Sequence, residues 1–469
     1  MRILCVFLVA AVTAVSTAAD EIDRTVEARL KRDNVPGTSI AVVRDGKVIK
    51  ARGYGLADVE NNVPATEHTV YQWASVTKQF TAGAILLLAG DGKIDLGARV
   101  SKYYTNAPAS WSNVTVRHLV HHTAGMKSYT GIRDFFKTIR KDYEHEELID
   151  LVRKMPLEFD PGEKWAYNNT AYYVLGLMIE NVSGKSYNDF LSERIFKPAG
   201  MTTARLNEQL EIIPNRATGY GGTSNKLARA EFVSPTQPYS AGALVGTVLD
   251  LAKWDAALYT DAIFSSSAKE EMWKPAKLNN GDETPYAFGW SVEAVRGRKC
   301  ISHSGGIHGF STHIARFVDD RLTVIVLMNS GRSDARTLAN AIAGHYLPGV
   351  TLASVKPPKK DPDPELTARL KQSLFDLVEN KASDTIIPQF REDYARSTNR
   401  VTALKERLSN LKSFTFVADD KPPKDRNGRF GVPVARLSSY KLVTPTETRF
   451  YTFELTPENK VAWYQSSEN

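Results

Sequence analysis

Two cysteines, Cys5 and Cys300, are all that 469 residues contain. That scarcity excludes a disulfide framework, so the fold must rest on core packing. Past the N-terminus no apolar run reaches the roughly 18 residues needed to cross a bilayer. Like charges do not cluster either: the net charge of +7 is spread along the chain, and the one short block is "KPPKK". A mildly basic, solvated surface follows, with no nucleic-acid partner and no stable membrane anchor. Internal repeats are absent as well. What is present is 42% hydrophobic and 24% charged residues, an ordinary soluble globular composition long enough for more than one domain.

The first 19 residues read as a secretory leader. Arg2 supplies a positive end, "ILCVFLVAAV" an apolar stretch, and "STA" before Ala19 a small-residue cleavage site. Cys5 lies inside the apolar stretch rather than after it, which argues against a lipoprotein anchor. Cleavage leaves Cys300 as the sole cysteine and places the mature chain in a periplasm or outside the cell.

Residues 20–350 are expected to form one domain. The apolar runs "TSIAVVR" and "KVIKARGYG" meet at Asp45-Gly46, a strong hairpin signal. Helical patterns and loops fill Lys93 to Pro285, among them "AYYVLGLMIENVSG", which stops at Gly184. Strand signals return in "CISHSGG", "FSTHIARFV" and "LTVIVLMN", and "ARTLANAIAGHYL" closes the module as a helix. The fold class is therefore α/β of the α+β kind. A central antiparallel sheet, flanked by helices, is closed by the two ends of the domain, with a mostly helical region inserted. Residues 351–365, "TLASVKPPKKDPDPE", read as a Pro/Lys-rich linker. Residues 366–469 read as a small α+β domain. It opens with a helix carrying Leu366, Leu370, Leu374 and Leu377 on one face and ends in four strand-like segments. That order resembles the cystatin or nuclear-transport-factor-like folds.

Three stretches carry possible chemistry. In "WASVTKQFTAGAILLLAG", Ser75 and Lys78 stand three apart at the head of an otherwise apolar helix. Residues at that spacing share a helix face. A serine nucleophile needs a base beside it, and a lysine shut away from water has a lowered pKa and can serve. The motif is not unique: Ser-x-x-Lys recurs at Ser266, Ser409 and Ser438, none of which opens a buried helix. In "PGEKWAYNNT", Tyr167 follows a Pro-Gly turn and can point into a cleft. As a base near neutrality it would need its pKa lowered by about 3 units, and a Lys78 ammonium is the expected cause. Asn169 is placed to hold Lys78 and to donate to a substrate carbonyl. In "HSGGIHGF", glycines in a strand let a substrate approach the backbone, so the Gly306 N–H and the Ser75 N–H can form an oxyanion hole.

Ser75-Val-Thr-Lys78, Tyr167-Asn168-Asn169 and His303-Ser304-Gly305, in that order, resemble the class C serine β-lactamase and penicillin-binding-protein-like hydrolases. The resemblance runs from about Ile22 to Pro348 and leaves the C-terminal domain outside. It implies a serine β-lactamase/DD-peptidase-like fold and an acyl-enzyme on Ser75. Lys78 and Tyr167 would move the proton, with Asn169, His303, Ser304, Gly305 and Gly306 around the substrate and its oxyanion. It calls for no metal and no organic cofactor, and for a small-molecule or peptide substrate: a small peptide, amide or ester. The third motif often begins with lysine in that family. His303 here matches the esterase, aminopeptidase and peptidase relatives and weakens the case for penicillin hydrolysis. A true β-lactamase or D-alanyl-D-alanine carboxypeptidase remains an alternative. So does a non-catalytic receptor for peptide or cell-wall fragments, although a pure binder has no need of the intact trio.

Two further features read as structural. His118, His121 and His122 in "RHLVHHTAG" have no carboxylate or cysteine at ligand spacing and are expected to pack and hydrogen-bond around the cleft. "NNT" at Asn168 matches a glycosylation acceptor, but a glycan there would plug the cleft.

Overall fold

The computed structural model describes residues 21–223, 226–422 and 428–467, so the leader reading of residues 1–19 lies outside it. The chain divides into two compact units at Ala343/Gly344.

The first unit is built on a seven-stranded antiparallel sheet. Its order is Val63–Pro64, Lys47–Asp58, Gly37–Arg44, Leu322–Met328, Phe310–Phe317, Arg298–Ile307 and Ser291–Val295. The hairpin expected at Asp45-Gly46 is present, with φ of 51° and 73° at the two residues, as a tight turn matching strand twist requires. The first and last parts of the unit meet in the middle of the sheet, where Ile40 faces Val326. Every residue of Leu322–Met328 is buried, so both faces of the strand are covered. That is why this strand reads as a continuous apolar run and not an alternating one.

The inserted region is largely helical. Helix Lys78–Gly90 is buried from Lys78 through Leu88 and packs against helix Asn169–Ser183. The second helix ends at Gly184, whose φ of 69° suits a residue without a side chain, and whose N–H caps the Glu180 carbonyl. Helix Val248–Ala257 lies across strands Gly37–Arg44 and Leu322–Met328. It is tied to the sheet by an enclosed ion pair, Arg316 Nε to Asp255 Oδ1 at 2.6 Å, which Thr323 Oγ1 joins at 2.8 Å. The Arg316 guanidinium also lies over the Tyr259, Trp273 and Trp290 rings. Cys300 is buried on strand Arg298–Ile307, and burial pushes its thiol up to about 12, so it behaves as a small apolar residue.

The second unit holds helices Pro364–Val378, Pro388–Ala395 and Thr398–Ser409, followed by a four-stranded antiparallel sheet in chain order. Its strands are Ser413–Asp420, Arg436–Val443, Thr448–Leu455 and Val461–Ser467. Leu366, Leu370, Leu374 and Leu377 meet Tyr440, Tyr451 and Phe453 in a core of its own. Within the stretch read as a linker, Thr351 caps a short turn at Leu352–Ser354 and Asp363 caps the helix that follows.

Removing one partner of an enclosed ion pair strands the other charge away from water. Asp255→Ala should therefore cost about 3–5 kcal/mol in urea unfolding of the first unit. The apolar pair Asp255→Leu with Arg316→Met should cost much less.

Candidate active site

Ser75 does not start the α-helix. It sits in a 3-10 turn, Ala74–Thr77, and the α-helix begins at Lys78. The turn is pinned from several sides. Trp73 N–H donates to the Leu244 carbonyl at 2.9 Å, and Leu244 N–H donates to Thr77 Oγ1 at 3.1 Å. Thr312 Oγ1 donates to the Trp73 carbonyl at 2.9 Å. Ala74 is held at a φ of 49°, a left-handed conformation that costs a non-glycine residue about 1–2 kcal/mol. Strand Arg298–Ile307 closes against this turn at Gly305, where a Cβ would fall 2.2 Å from the Trp73 carbonyl oxygen. Only glycine fits there. Gly306, one residue on, would place its Cβ in open space.

Lys78 is wholly buried, and its Nζ has three neighbours: Asn169 Oδ1 at 2.9 Å, the Ala241 carbonyl at 2.7 Å and Ser75 Oγ at 3.2 Å. None of them is a carboxylate. Burial holds its pKa well below the usual lysine range. Once deprotonated, the amine can act as a base without moving. Its two N–H groups donate to the two carbonyl oxygens, and its lone pair receives the Ser75 O–H.

The Tyr167 phenol stands beside the Ser75 side chain, and Lys78 Nζ lies 4.7 Å from its ring centroid. The residue is 39% exposed, yet the protein packed around it pushes the phenol up, not down. This corrects the expectation of a phenolate held by a lysine ammonium. Desolvation of the phenolate is the cause.

Asn169 opens its helix. Its Nδ2 donates to Thr130 Oγ1 at 3.1 Å and its backbone N–H donates to Ser128 Oγ at 3.2 Å, which leaves Oδ1 for Lys78. Asn168 is buried; its Oδ1 caps the helix at Ala171 N–H and its Nδ2 donates to the Met126 carbonyl. A glycan at Asn168 has no access.

The His303 ring is buried between Tyr286 Oη, 2.8 Å from Nε2, and the Ser304 carbonyl, 2.6 Å from Nδ1. Burial drives its pKa down to about 3, so it stays neutral. Ser304 Oγ is 2.8 Å from His313 Nδ1 on a neighbouring strand. Ser75, Asn169 and Gly306 line one cavity of about 280 Å³. Its other walls are mainly apolar, including Phe135, Phe136, Ile139, Val233 and Ile307, and among the described residues no Asp, Glu, Lys or Arg lines it. Phe136 stacks on His308 at its margin, with ring centroids 6.3 Å apart.

Several contributors escaped the sequence reading. Ala241 acts through a backbone carbonyl, which any residue would supply. Tyr286, His313 and the phenylalanine wall come from segments with no motif. His121 and His122 pack around the cleft: His121 against Phe288, and His122 among Tyr167, Tyr172 and Tyr286.

A hydroxyl against a buried lysine amine, with a phenol beside it, defines an activated-serine site of the acyl-transfer kind. The sequence comparisons agree. The Beta-lactamase family profile matches residues 22–346. Penicillin-binding protein 4* of Bacillus subtilis (strain 168) is 34% identical over 311 residues, covering 62% of this chain and 68% of that protein. D-aminopeptidase of Gluconobacter oxydans (strain 621H) is 28% identical over 324 residues, covering 67% of this chain and 60% of its own length. In structure, the octameric penicillin-binding protein homologue from Pyrococcus abyssi superposes with a TM-score of 0.63 at 23% identity, over 96% of this chain and 95% of that one. The chain belongs to the β-lactamase family of serine hydrolases, and its first unit has the β-lactamase/DD-peptidase fold. The four-stranded C-terminal sheet is an addition to it.

Because Gly305 admits no Cβ and Gly306 does, Gly305→Ala should lower stability by about 1–3 kcal/mol in thermal or urea unfolding. Gly306→Ala should stay within about 0.5 kcal/mol of wild type.

Proposed function

We propose that this protein hydrolyses small uncharged amides or esters with an apolar acyl group, through an acyl-enzyme on Ser75. The observation that carries the reading is a wholly buried Lys78 whose Nζ lies 3.2 Å from Ser75 Oγ, with two carbonyl oxygens as its other neighbours. Ser75 Oγ attacks the substrate carbonyl carbon as its proton passes to the Lys78 lone pair. The oxyanion is received by the Ser75 and Gly306 N–H groups. Tyr167 gives its phenolic proton to the departing nitrogen or oxygen. The phenolate left behind lies beside the ammonium just formed on Lys78, so the charge that stabilises it arrives only when needed. A water then yields a proton to Tyr167 and attacks the acyl carbon. Ser75 Oγ leaves with the proton from Lys78, and the resting state returns.

The walls of the cavity support the substrate class. An uncharged, mainly apolar lining favours an apolar acyl group and leaves a charged one unpaired. D-aminopeptidases among the relatives support the amide half of the proposal. A β-lactamase or carboxypeptidase reading is less well supported, because among the described residues no lysine or arginine lines the cavity to meet a substrate carboxylate. The secretory reading of residues 1–19 belongs to this proposal as well, and N-terminal sequencing of the exported product tests it.

The test is a panel of p-nitrophenyl esters, D-amino-acid amides and nitrocefin, with labelling by a fluorophosphonate. Ser75→Ala should lose the label and about three or more orders of magnitude in turnover. An unlabelled wild type would favour the non-catalytic receptor. Lys78 must be unprotonated to act, so kcat/KM should fall about tenfold per pH unit below its folded-state pKa and stay level above it through neutrality. His303→Gln should leave that acid limb in place, since His303 is already neutral down to about 3. Tyr167→Phe should slow acylation by amides about 10²–10⁴-fold. It should slow acylation by p-nitrophenyl esters, read from the burst, far less, because their leaving group needs no proton, while deacylation slows for both.

A further inference from the structure

We infer that His122 is a positioning residue for Tyr167, setting where the phenol stands against Ser75. The inference rests on the acyl-enzyme reading above. His122 occupies an unusual backbone position for a non-glycine residue, with a φ of 60°, and is 1% exposed. From there it grips the Tyr167 loop twice. Its carbonyl accepts the Ala166 N–H at 3.0 Å, and its ring Nδ1 accepts the Asn168 N–H at 3.2 Å. The N–H groups on either side of Tyr167 therefore both end on one residue. The imidazole also packs on the phenol itself, with ring centroids 4.5 Å apart, and is backed by Tyr286 at 4.6 Å and Tyr172 at 4.9 Å.

The other ring nitrogen is what makes this more than packing. With Nδ1 accepting, the neutral tautomer carries its proton on Nε2, which is buried without a hydrogen-bond partner among the described residues. An orphaned buried N–H costs stability. An apolar side chain of similar size would avoid that cost, so a histidine here is explained by the bond that Nδ1 makes. Burial holds its pKa well below the usual histidine range, which keeps Nδ1 free to accept.

Asparagine places its Oδ1 close to where imidazole Nδ1 stands and tolerates a left-handed backbone. Glycine removes the backbone strain and the acceptor together. Glutamine carries its amide to the Nε2 position instead. The experiment measures the single-turnover acylation rate for an uncharged N-acyl-D-phenylalanine amide and for a p-nitrophenyl ester, each per fluorophosphonate-titrated Ser75, in His122→Gly, His122→Gln and His122→Asn. A displaced phenol should lower amide acylation about 10–100-fold in the glycine and glutamine variants, with ester acylation within about threefold of wild type. His122→Asn should recover the wild-type amide-to-ester ratio to within about threefold. A purely structural role would lower the titratable fraction and leave that ratio alone. An unchanged ratio in whichever of the glycine or glutamine variants folds, or an asparagine variant as impaired as they are, overturns the inference. Turnover that survives in Ser75→Ala overturns the acyl-enzyme reading, and this inference with it.

Discussion

An ammonium enclosed by protein gives up its hydration, and only a nearby negative charge can compensate that loss in full. Lys78 has no such partner. It has two carbonyl oxygens and a serine hydroxyl, and burial among them favours the uncharged amine. The remaining site chemistry follows from this. An amine that gives up its proton readily offers Ser75 a proton acceptor within reach. Burial acts on Tyr167 in the opposite sense and keeps it a phenol. Desolvation thus favours the base form of one group and the acid form of the other.

Holding that group requires segments far apart in the chain. Asn169 reaches Lys78 from across 91 residues and the Ala241 carbonyl from across 163. Gly305 lets the sheet press against the Ser75 turn. Three non-glycine residues around the site, Ala74, His122 and Tyr239, have positive φ, at 49°, 60° and 37°. Each is fixed by packing that outweighs its local preference, which is how strain persists around functional groups. Ala74 sets the angle of the serine, His122 grips the tyrosine loop, and Tyr239 precedes the carbonyl that binds Lys78. The cavity beside them owes its apolar character to Phe135, Phe136, Ile139 and Ile307, which no motif announces.

Much of the arrangement was legible beforehand because it depends on local chemistry. Asp45-Gly46 specifies a tight turn through backbone freedom. Gly184 ends a helix for the same reason. Ser75 with Lys78, and the Tyr-Asn-Asn loop, draw attention because polar groups beside apolar helices need a partner or a purpose. The direction in which Tyr167 is shifted was not legible. It depends on how completely other segments exclude water from the phenol.

By itself the sequence determined the periodicities, turns and helix ends, hence the order of elements and the two-part organisation. It also determined the inventory of reactive side chains. Only the tertiary structure decided which of these meet, which backbone carbonyls serve them, and which protonation state each adopts. Propensity and turn chemistry act over a few neighbouring residues. Solvation and electrostatics are set by everything within several ångströms in space, whatever its distance along the chain.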